Sequence, residues 1–284
     1  MEAAERSQEA LQQAPGENTE RLAPFVRTLS RGIYFWRDEA RGPRRLRGLM
    51  AHHHVQRMFD TIAGTYDLQN RFLAARVDNH WRNMFVRYLR LKPGAVLGDL
   101  AVGTAEISIK ACRRYPEIRV VGVDFSEGML RMARRQIKAR GLSQRVELRT
   151  GDLRELPIAD ESFDAVTISF GIRNIKERDR VLRECFRVMK PGGRLQIMEP
   201  SFPDTPIVRD IYRYYFDHVM PLFGNWLSGT DYAYSYLAET VYVFPSDEEF
   251  LREISAAGFA RSSLVALTYG MAKIYRGQKP GRRR

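Results

Sequence analysis

The sequence predicts an α/β protein built on a doubly wound, mostly parallel β-sheet. Between residues 95 and 198, short apolar runs alternate with segments of helical periodicity. The first run is followed by Gly103 and a helical pattern, and the second run ends in Asp124, which is the spacing of a strand–turn–helix–strand unit. With 284 residues, 44% of them hydrophobic, the chain can bury a full core. We therefore expect one domain with extensions.

Periodicity and turn residues predict the elements in order. A helical pattern over 50–89 ends at Leu91-Lys-Pro-Gly94. The predicted strands are 95–100, 119–124, 146–150, 163–169, 194–198, 262–267 and 271–275. The predicted helices are 107–115, 127–139, 177–189 and 247–257, with a turn at 190–193. The stretch 204–244 breaks the alternation with aromatic and aliphatic residues at helical spacing, and we interpret it as an inserted helical cover on a domain spanning 51–280.

The composition favours a reducing compartment, and we expect a cytoplasmic protein, peripheral at the inner face of a membrane. Cys112 and Cys185 fall in predicted helices and are too few for a disulfide framework. No run reaches the roughly 18 apolar residues of a membrane span, and the acidic first twenty residues are unlike a signal or transit peptide.

The formal charge of +12 predicts a polyanionic partner, and its distribution favours an anionic membrane surface over nucleic acid. Residues 1–50 form a basic extension, of which the first twenty are polar and the segment 21–50 carries eight arginines interleaved with aromatic and aliphatic side chains. The last fourteen residues are basic and contain no acid. A solvated arm and tail is the alternative, and a homodimer stays open.

The first strand–turn–helix unit predicts a nucleotide pocket. Gly103 allows a tight turn with close backbone approach, and the carboxylate of Asp124 is placed to accept hydrogen bonds from a ribose diol. Nicotinamide and S-adenosylmethionine (SAM) enzymes share this arrangement, so the glycine and the acid leave both classes open.

Longer strings carry a narrower resemblance, to the ubiquinone/menaquinone biosynthesis C-methyltransferase family. They are Met58 to Asn70, with Tyr-Asp-Leu-Gln-Asn; Gly151 to Asn174, with Ser-Phe-Gly-Ile-Arg-Asn; Lys190-Pro-Gly-Gly-Arg-Leu195; and Met198-Glu-Pro200. The resemblance spans about 55–277. It implies a Rossmann-like class I SAM-dependent methyltransferase fold, with seven strands that close in an antiparallel hairpin.

The resemblance also implies the cofactor positions. SAM would be held by Gly103 and Thr104 in the first turn, by Asp124 at the ribose, by Asp152 and Leu153 at the adenine, and by Ser169 at the end of the fourth strand. Asp152 alone could equally be a turn former. The first turn departs from the family pattern, since Ala105 stands where the family has glycine and Val102 adds bulk. We expect both to weaken cofactor binding, and Ala105→Gly to tighten it.

The reaction implied is methyl transfer from SAM to a ring carbon of a polyprenylated quinol, either a naphthoquinol or a benzoquinol. Deprotonation of the neighbouring hydroxyl makes the ring carbon nucleophilic, so a network around that hydroxyl is the expected catalytic device. We place Arg173, Asn174 and Tyr66 in it, with Arg173 stabilising the developing phenolate. A surface salt bridge for Arg173 and a packed aromatic for Tyr66 are the alternatives.

No metal site is predicted, because the adjacent histidines His52-His53-His54 point in different directions and lack a partner cluster. Three further functions stay open at this point. They are another small-molecule SAM methyltransferase, a nicotinamide oxidoreductase, and a non-catalytic basic binding module with impaired SAM binding. The second would need a full Gly-x-Gly-x-x-Gly pattern, which we do not find, whereas the altered first turn supports the third.

Overall fold

The computed structural model describes residues 77–206, 209–210, 213 and 240–282, and these form an α/β fold around a seven-stranded sheet. The helices are α1 (Val77–Leu89), α2 (Glu106–Arg114), α3 (Glu127–Ala139), α4 (Arg178–Val188) and α5 (Asp247–Ala256). The strands are β1 (Val96–Leu100), β2 (Arg119–Asp124), β3 (Val146–Thr150), β4 (Phe163–Ser169), β5 (Met189–Pro200), β6 (Ala260–Leu267) and β7 (Ala272–Gln278).

The strand order is β3-β2-β1-β4-β5-β7-β6, with β1 to β5 parallel and β7 antiparallel to both of its neighbours. This confirms the predicted parallel sheet and closing hairpin. The bounds of β2, β3, β4 and α3 match the sequence prediction residue for residue. Helices α2 and α4 differ from it by one residue at each end, and α5 by one residue at its carboxyl end.

The predicted turn at 190–193 is wrong, because this segment lies within β5. The register between β4 and β5 jumps from the pair Phe163–Met189 to the pair Ala165–Arg194, so the residues between them bulge. Lys279, which directly follows β7, holds this bulge through the backbone. Gly192 N donates to Lys279 O at 3.0 Å, and Lys279 N donates to Gly193 O at 2.9 Å.

Two apolar cores lie on opposite faces of the sheet, which is why its central strands are apolar almost throughout. Helices α1, α2 and α3 pack on one face, and α4 and α5 pack on the other. Side chains alternate between the faces as strand geometry requires: Leu97 and Met198 belong to the first core, and Leu100 and Ile197 to the second.

Serine caps begin two of the helices. Ser126 accepts from Met129 N at the start of α3, and Ser246 forms a capping box with Glu249 at the start of α5. Helix α5 is also tied to β7, since Asp247 accepts hydrogen bonds from Lys273 Nζ at 2.6 Å and from the Tyr275 hydroxyl at 2.7 Å.

The two edge strands differ in how they end the sheet. On β3, Glu147 and Arg149 form an ion pair of 2.7 Å, with side chains that are 57% and 41% exposed. On β6, the register with β7 shifts between Ala260 and Ser263, and Arg261 between them has a left-handed backbone (φ 54°). Both edges are therefore charged or irregular.

Both cysteines are buried and free, Cys112 in α2 and Cys185 in α4, as expected of small core residues. Among the helices of the described ranges, none is long and apolar enough to cross a membrane. Within the predicted cover at 204–244, the described positions are helical at residues 206, 209, 210 and 213 and again at 240–242. The rest of that segment, the domain boundary near residue 50 and the His52 to His54 triplet lie outside the described residues.

Candidate functional site

The carboxyl ends of β1, β2 and β4 open into a cavity of about 330 Å³. Strand β1 is the point at which the order of the sheet reverses, since β2 and β3 lie on one side of it and β4 and β5 on the other. In open α/β sheets this reversal leaves a crevice where ligands bind. All six predicted cofactor positions, Gly103, Thr104, Asp124, Asp152, Leu153 and Ser169, line the cavity.

Asp124 ties together the two turns at the base of the cavity. Its Oδ2 accepts from Gly103 N at 2.8 Å, and its Oδ1 accepts from Ser126 N at 2.9 Å. The carboxylate is almost fully buried, with 4% of the residue exposed. Each carboxylate oxygen has two lone pairs, so the carboxylate can accept from a ligand hydroxyl as well as from these backbone groups.

The two departures in the first turn differ, because Val102 lines the cavity whereas Ala105 does not. Ala105 precedes the first residue of α2 with a left-handed backbone (φ 68°, ψ 25°), is fully buried, and does not line the cavity. Val102 fits because residue 122 on β2 is glycine: a Cβ atom there would lie 2.8 Å from Val102 Cγ2. The expected crowding by the methyl of Ala105 is thus replaced by backbone strain, which costs an L-residue about 1–2 kcal/mol.

Asp99 is a second buried carboxylate of the cavity wall, and the sequence prediction missed it. Its Oδ2 accepts from Ser108 Oγ at 2.6 Å and its Oδ1 accepts from Thr167 Oγ1 at 3.0 Å. Burial raises the pKa of Asp99 from 3.8 to about 6, because these hydrogen bonds compensate only part of the desolvation of the charge. An acid inside an otherwise apolar strand was the available sequence signal.

Asp152 and Leu153 form the wall beyond β3. Leu153 is buried, with 3% exposed, and presents an apolar side chain to the cavity. Asp152 is paired with Arg154, and Arg154 reaches Glu177 on the other side; both partners line the cavity. The sequence prediction missed Arg154 and Glu177, and no local pattern indicates them.

Ser169, at the end of β4, carries the clearest sign of a ligand. Its Oγ is buried and has no hydrogen-bond partner within the described part of the chain, although the residue lines the cavity. Buried polar atoms without a partner are rare in native proteins and call for a ligand or water. This serine, the two acids Asp99 and Asp124, and the apolar side of Leu153 together fit a ligand that is part cationic and part nucleoside, as SAM is.

The predicted catalytic residues separate in the structure. Asn174 lines the cavity from the 3-10 turn Ile172–Asn174, whereas Arg173 does not. Arg173 NH1 donates to Phe170 O at 2.8 Å and to Glu199 Oε2 at 2.7 Å, and the two charged side chains are only 4% and 1% exposed. Tyr66 lies outside the described residues. Arg173 therefore forms a salt bridge, as the alternative prediction held, but this salt bridge is buried and not at the surface.

Comparison with known proteins assigns the chain to a family. The ubiE/COQ5 methyltransferase family matches residues 48–279. The ubiquinone/menaquinone biosynthesis C-methyltransferase of Geotalea daltonii is 36% identical over 79% of this chain and 96% of its own length. The demethylmenaquinone methyltransferases of Deinococcus radiodurans and Thermus thermophilus are each 42% identical, over 79% and 78% of this chain and 92% and 100% of their own lengths.

The chain belongs to the ubiE/COQ5 methyltransferase family. The resemblance found in the sequence is thereby confirmed, and the nicotinamide oxidoreductase hypothesis is wrong. The chain is a methyltransferase, and the hypothesis of a non-catalytic binding module, which the altered first turn had left open, is wrong.

Solved structures agree on the fold of this methyltransferase. The [4+2]-cyclase SpnF has a TM-score of 0.59 at 20% identity and covers 80% of this chain and 96% of its own. A SAM-dependent methyltransferase from Thermotoga maritima, a possible histamine N-methyltransferase, has a TM-score of 0.56 at 22% identity and covers 78% and 99%. At these identities the likeness concerns the fold alone, and it confirms the class I SAM-dependent methyltransferase architecture.

The raised pKa of Asp99 predicts a specific dependence of stability on pH. Its folded-state pKa of about 6 lies above the unfolded value of 3.8, so the protonated form stabilises the fold. This contribution is fully present below about pH 4 and is lost as the pH rises through 6. In Asp99→Asn it should be missing, so the unfolding free energy of the variant minus that of the parent should rise by about 2 kcal/mol between pH 4 and 7. Urea denaturation at each pH measures the difference, and a constant difference would refute the buried titration.

Backbone strain at Ala105 predicts that Ala105→Gly stabilises this methyltransferase by up to about 1 kcal/mol, since glycine adopts positive φ freely. Ala111→Gly is the matched control. It is fully buried in the same helix, and there glycine should destabilise by roughly 1 kcal/mol. Urea denaturation distinguishes the two. Because Ala105 does not line the cavity, SAM affinity should stay within about twofold of the parent value; a large gain in affinity would instead support crowding of the ligand.

Proposed function

We propose that this chain methylates a ring carbon of a polyprenylated quinol, with SAM as the methyl donor, in menaquinone or ubiquinone biosynthesis. The observation that carries the proposal is the composition of the cavity wall. Asp152, Ser169 and Asn174 come from the string 151–174 in which the sequence resembles the quinone methyltransferases, and they meet Asp124 in one cavity. The names of the relatives from Geotalea daltonii and Deinococcus radiodurans support the same substrate class.

In this proposal, each cavity residue binds a different part of SAM. Asp124 accepts from the ribose hydroxyls, Asp152 accepts from the adenine amino group, and Leu153 covers the ring. The buried carboxylate of Asp99 compensates a cationic group, and Ser169 Oγ has hydrogen-bonding capacity left for the ligand. SAM supplies a methyl group that is already activated by its sulfonium. The chain must then hold the ring carbon in line with the sulfur–methyl bond and exclude water.

Deprotonation of the quinol hydroxyl is the step that the chain must assist. Asn174, at the cavity wall, is placed to hydrogen-bond that hydroxyl or a water beside it. Arg173 lies beneath the same turn and fixes it through Phe170 O, while its buried Nε has no partner among the described atoms. In this proposal Arg173 stabilises the developing phenolate from below, and Tyr66 approaches from the entry segment.

Membrane contact is part of the proposal because the substrate tail resides in lipid. It rests on the arm at residues 21–50 rather than on the C-terminal tail. Lys273 is buried and paired with Asp247, Lys279 Nζ donates to two carbonyls of the domain, and Arg282 pairs with Glu161. These three tail cations already have partners in the domain, although the Arg282 side chain is 80% exposed, so we assign the expected surface contact to the arm.

A methylation assay tests the function. With SAM and a demethylated naphthoquinol or benzoquinol, mass analysis should show a product heavier by one methylene, and the substrate that reacts identifies the ring.

Asp124→Ala should weaken the binding of SAM by roughly 10- to 100-fold, since a hydrogen bond to a charged group contributes about 1.5–3 kcal/mol. Asp160→Ala, an exposed acid outside the cavity, should leave affinity and turnover unchanged. SAM binding without either product would rule out the quinol substrates.

Removal of residues 1–48 tests the membrane contact. Each arginine near an anionic surface contributes roughly 1 kcal/mol before screening, so eight of them suffice for reversible attachment. The truncated chain should no longer sediment with anionic liposomes and should turn over a long-tailed quinol slowly, but it should retain SAM affinity and turnover of a short-tailed analogue. Neutral liposomes serve as the control. Equal sedimentation of the truncated chain would place the contact elsewhere.

A further inference from the structure

Both carboxylate oxygens of Asp152 are already occupied by Arg154. Oδ1 accepts from the backbone N–H of Arg154 at 2.8 Å and from its Nε at 3.1 Å. Oδ2 accepts from Nε at 3.0 Å and from NH2 at 2.6 Å. A carboxylate oxygen accepts about two hydrogen bonds, so this pairing uses the capacity of the group. The same hydrogen bonds raise the pKa of the Arg154 guanidinium.

Arg154 also has a second acid within reach. Its NH1 lies 3.3 Å from Glu177 Oε1, just before α4, and this contact is longer than the pairing with Asp152. Both pairs are partly exposed, with 24% of the Arg154 side chain, 35% of Asp152 and 53% of Glu177 open to solvent. Arg154, Asp152 and Glu177 all line the cavity. The guanidinium therefore lies between two carboxylates at one end of the ligand site.

We propose that Arg154 is an affinity-determining residue of this site, which competes with the adenine amino group for Asp152 and swings toward Glu177 when the nucleotide binds. The inference rests on the proposed function, in which Asp152 accepts from adenine. The amino group needs a free acceptor on Asp152, and the guanidinium must release one to provide it. Glu177 keeps the released cation paired, so the exchange costs less than full exposure of Arg154 to water would.

Because Arg154 competes with the nucleotide, its removal should change the affinity in the opposite direction from the removal of an ordinary binding residue. Removal of the guanidinium should tighten the binding of the nucleotide, because the amino group then no longer has to displace the side-chain hydrogen bonds of Arg154. An exposed or half-exposed ion pair contributes up to about 1 kcal/mol, which corresponds to a gain of about 3- to 5-fold in affinity. Removal of Glu177 should weaken binding about twofold, because the open position of Arg154 loses its partner.

Calorimetric titration of the full chain with S-adenosylhomocysteine tests this exchange. The probe lacks the sulfonium charge, so loss of a neighbouring cation does not change its affinity through simple repulsion. Arg154→Ala should bind it about 3- to 5-fold more tightly than the parent. Arg180→Ala is the matched control, since Arg180 forms a similar ion pair with Glu155 nearby but does not line the cavity; it should leave affinity unchanged.

Two further titrations separate competition from other roles. S-inosylhomocysteine has a carbonyl oxygen in place of the amino group, so Arg154→Ala should not tighten its binding. Glu177→Gln should weaken the binding of S-adenosylhomocysteine to the parent but have no effect on its binding in the Arg154→Ala background. Weaker nucleotide binding by Arg154→Ala, or an equal effect of Glu177→Gln in both backgrounds, would overturn the proposal. Failure of the parent to bind the nucleotide at all would instead count against the proposed function.

Discussion

The hydrogen bonds that Asp124 accepts from two different turns are the constraint on which the cavity depends. Gly103 N and Ser126 N both donate to this one carboxylate, so the loop after β1 and the cap of α3 are held together at the end of β2. A buried carboxylate that accepts charge-assisted hydrogen bonds is a strong tie. The residue that we propose to bind the ligand thus also shapes the site, so a substitution of Asp124 would change both at once.

A buried ion pair beneath the site, Arg173 with Glu199, determines where the turn after β4 lies. Glu199 on β5 holds Arg173 and also accepts from Ile172 N at 2.9 Å, so one carboxylate fixes both the side chain and the backbone of the turn after β4. Burial raises the pKa of Glu199 even though the neighbouring Arg173 lowers it. Loss of either partner would leave a buried charge uncompensated, which costs several kcal/mol. The pair therefore supports the shape of the cavity whatever part Arg173 has in the chemistry.

Much of the architecture could be predicted because parallel strands buried on both faces appear as apolar runs. β2 and β4 are such runs, bounded by polar or turn residues, and their limits were predicted to the residue. The segment 190–193 was misassigned because Pro-Gly-Gly is typical of a turn, whereas its actual partners are Lys279 and the end of β7, almost ninety residues away. Local sequence does not contain that pairing.

The same distinction, between local sequence signals and contacts of residues far apart in the chain, applies to the site. Carboxylates at strand ends were predictable, since parallel topology brings Asp124 and Asp152 to one edge of the sheet. The direction of the Arg173 side chain was not, because its acceptor Glu199 is 26 residues away and becomes a neighbour only in the folded sheet. Arg154 was also missed, because a charge two residues after an acid does not by itself indicate an ion pair.

The edges of the sheet limit how two copies of this protein can associate. A neighbour that adds a strand needs a straight edge with regular, unpaired backbone groups, and charges or bulges at an edge oppose such pairing. β3 presents the Glu147–Arg149 pair, and β6 bends at Arg261. Along these described edges, a continuous sheet across two chains is disfavoured, which also protects the protein from aggregation. Any homodimer that these edges exclude from strand pairing would therefore have to use helical or loop surfaces.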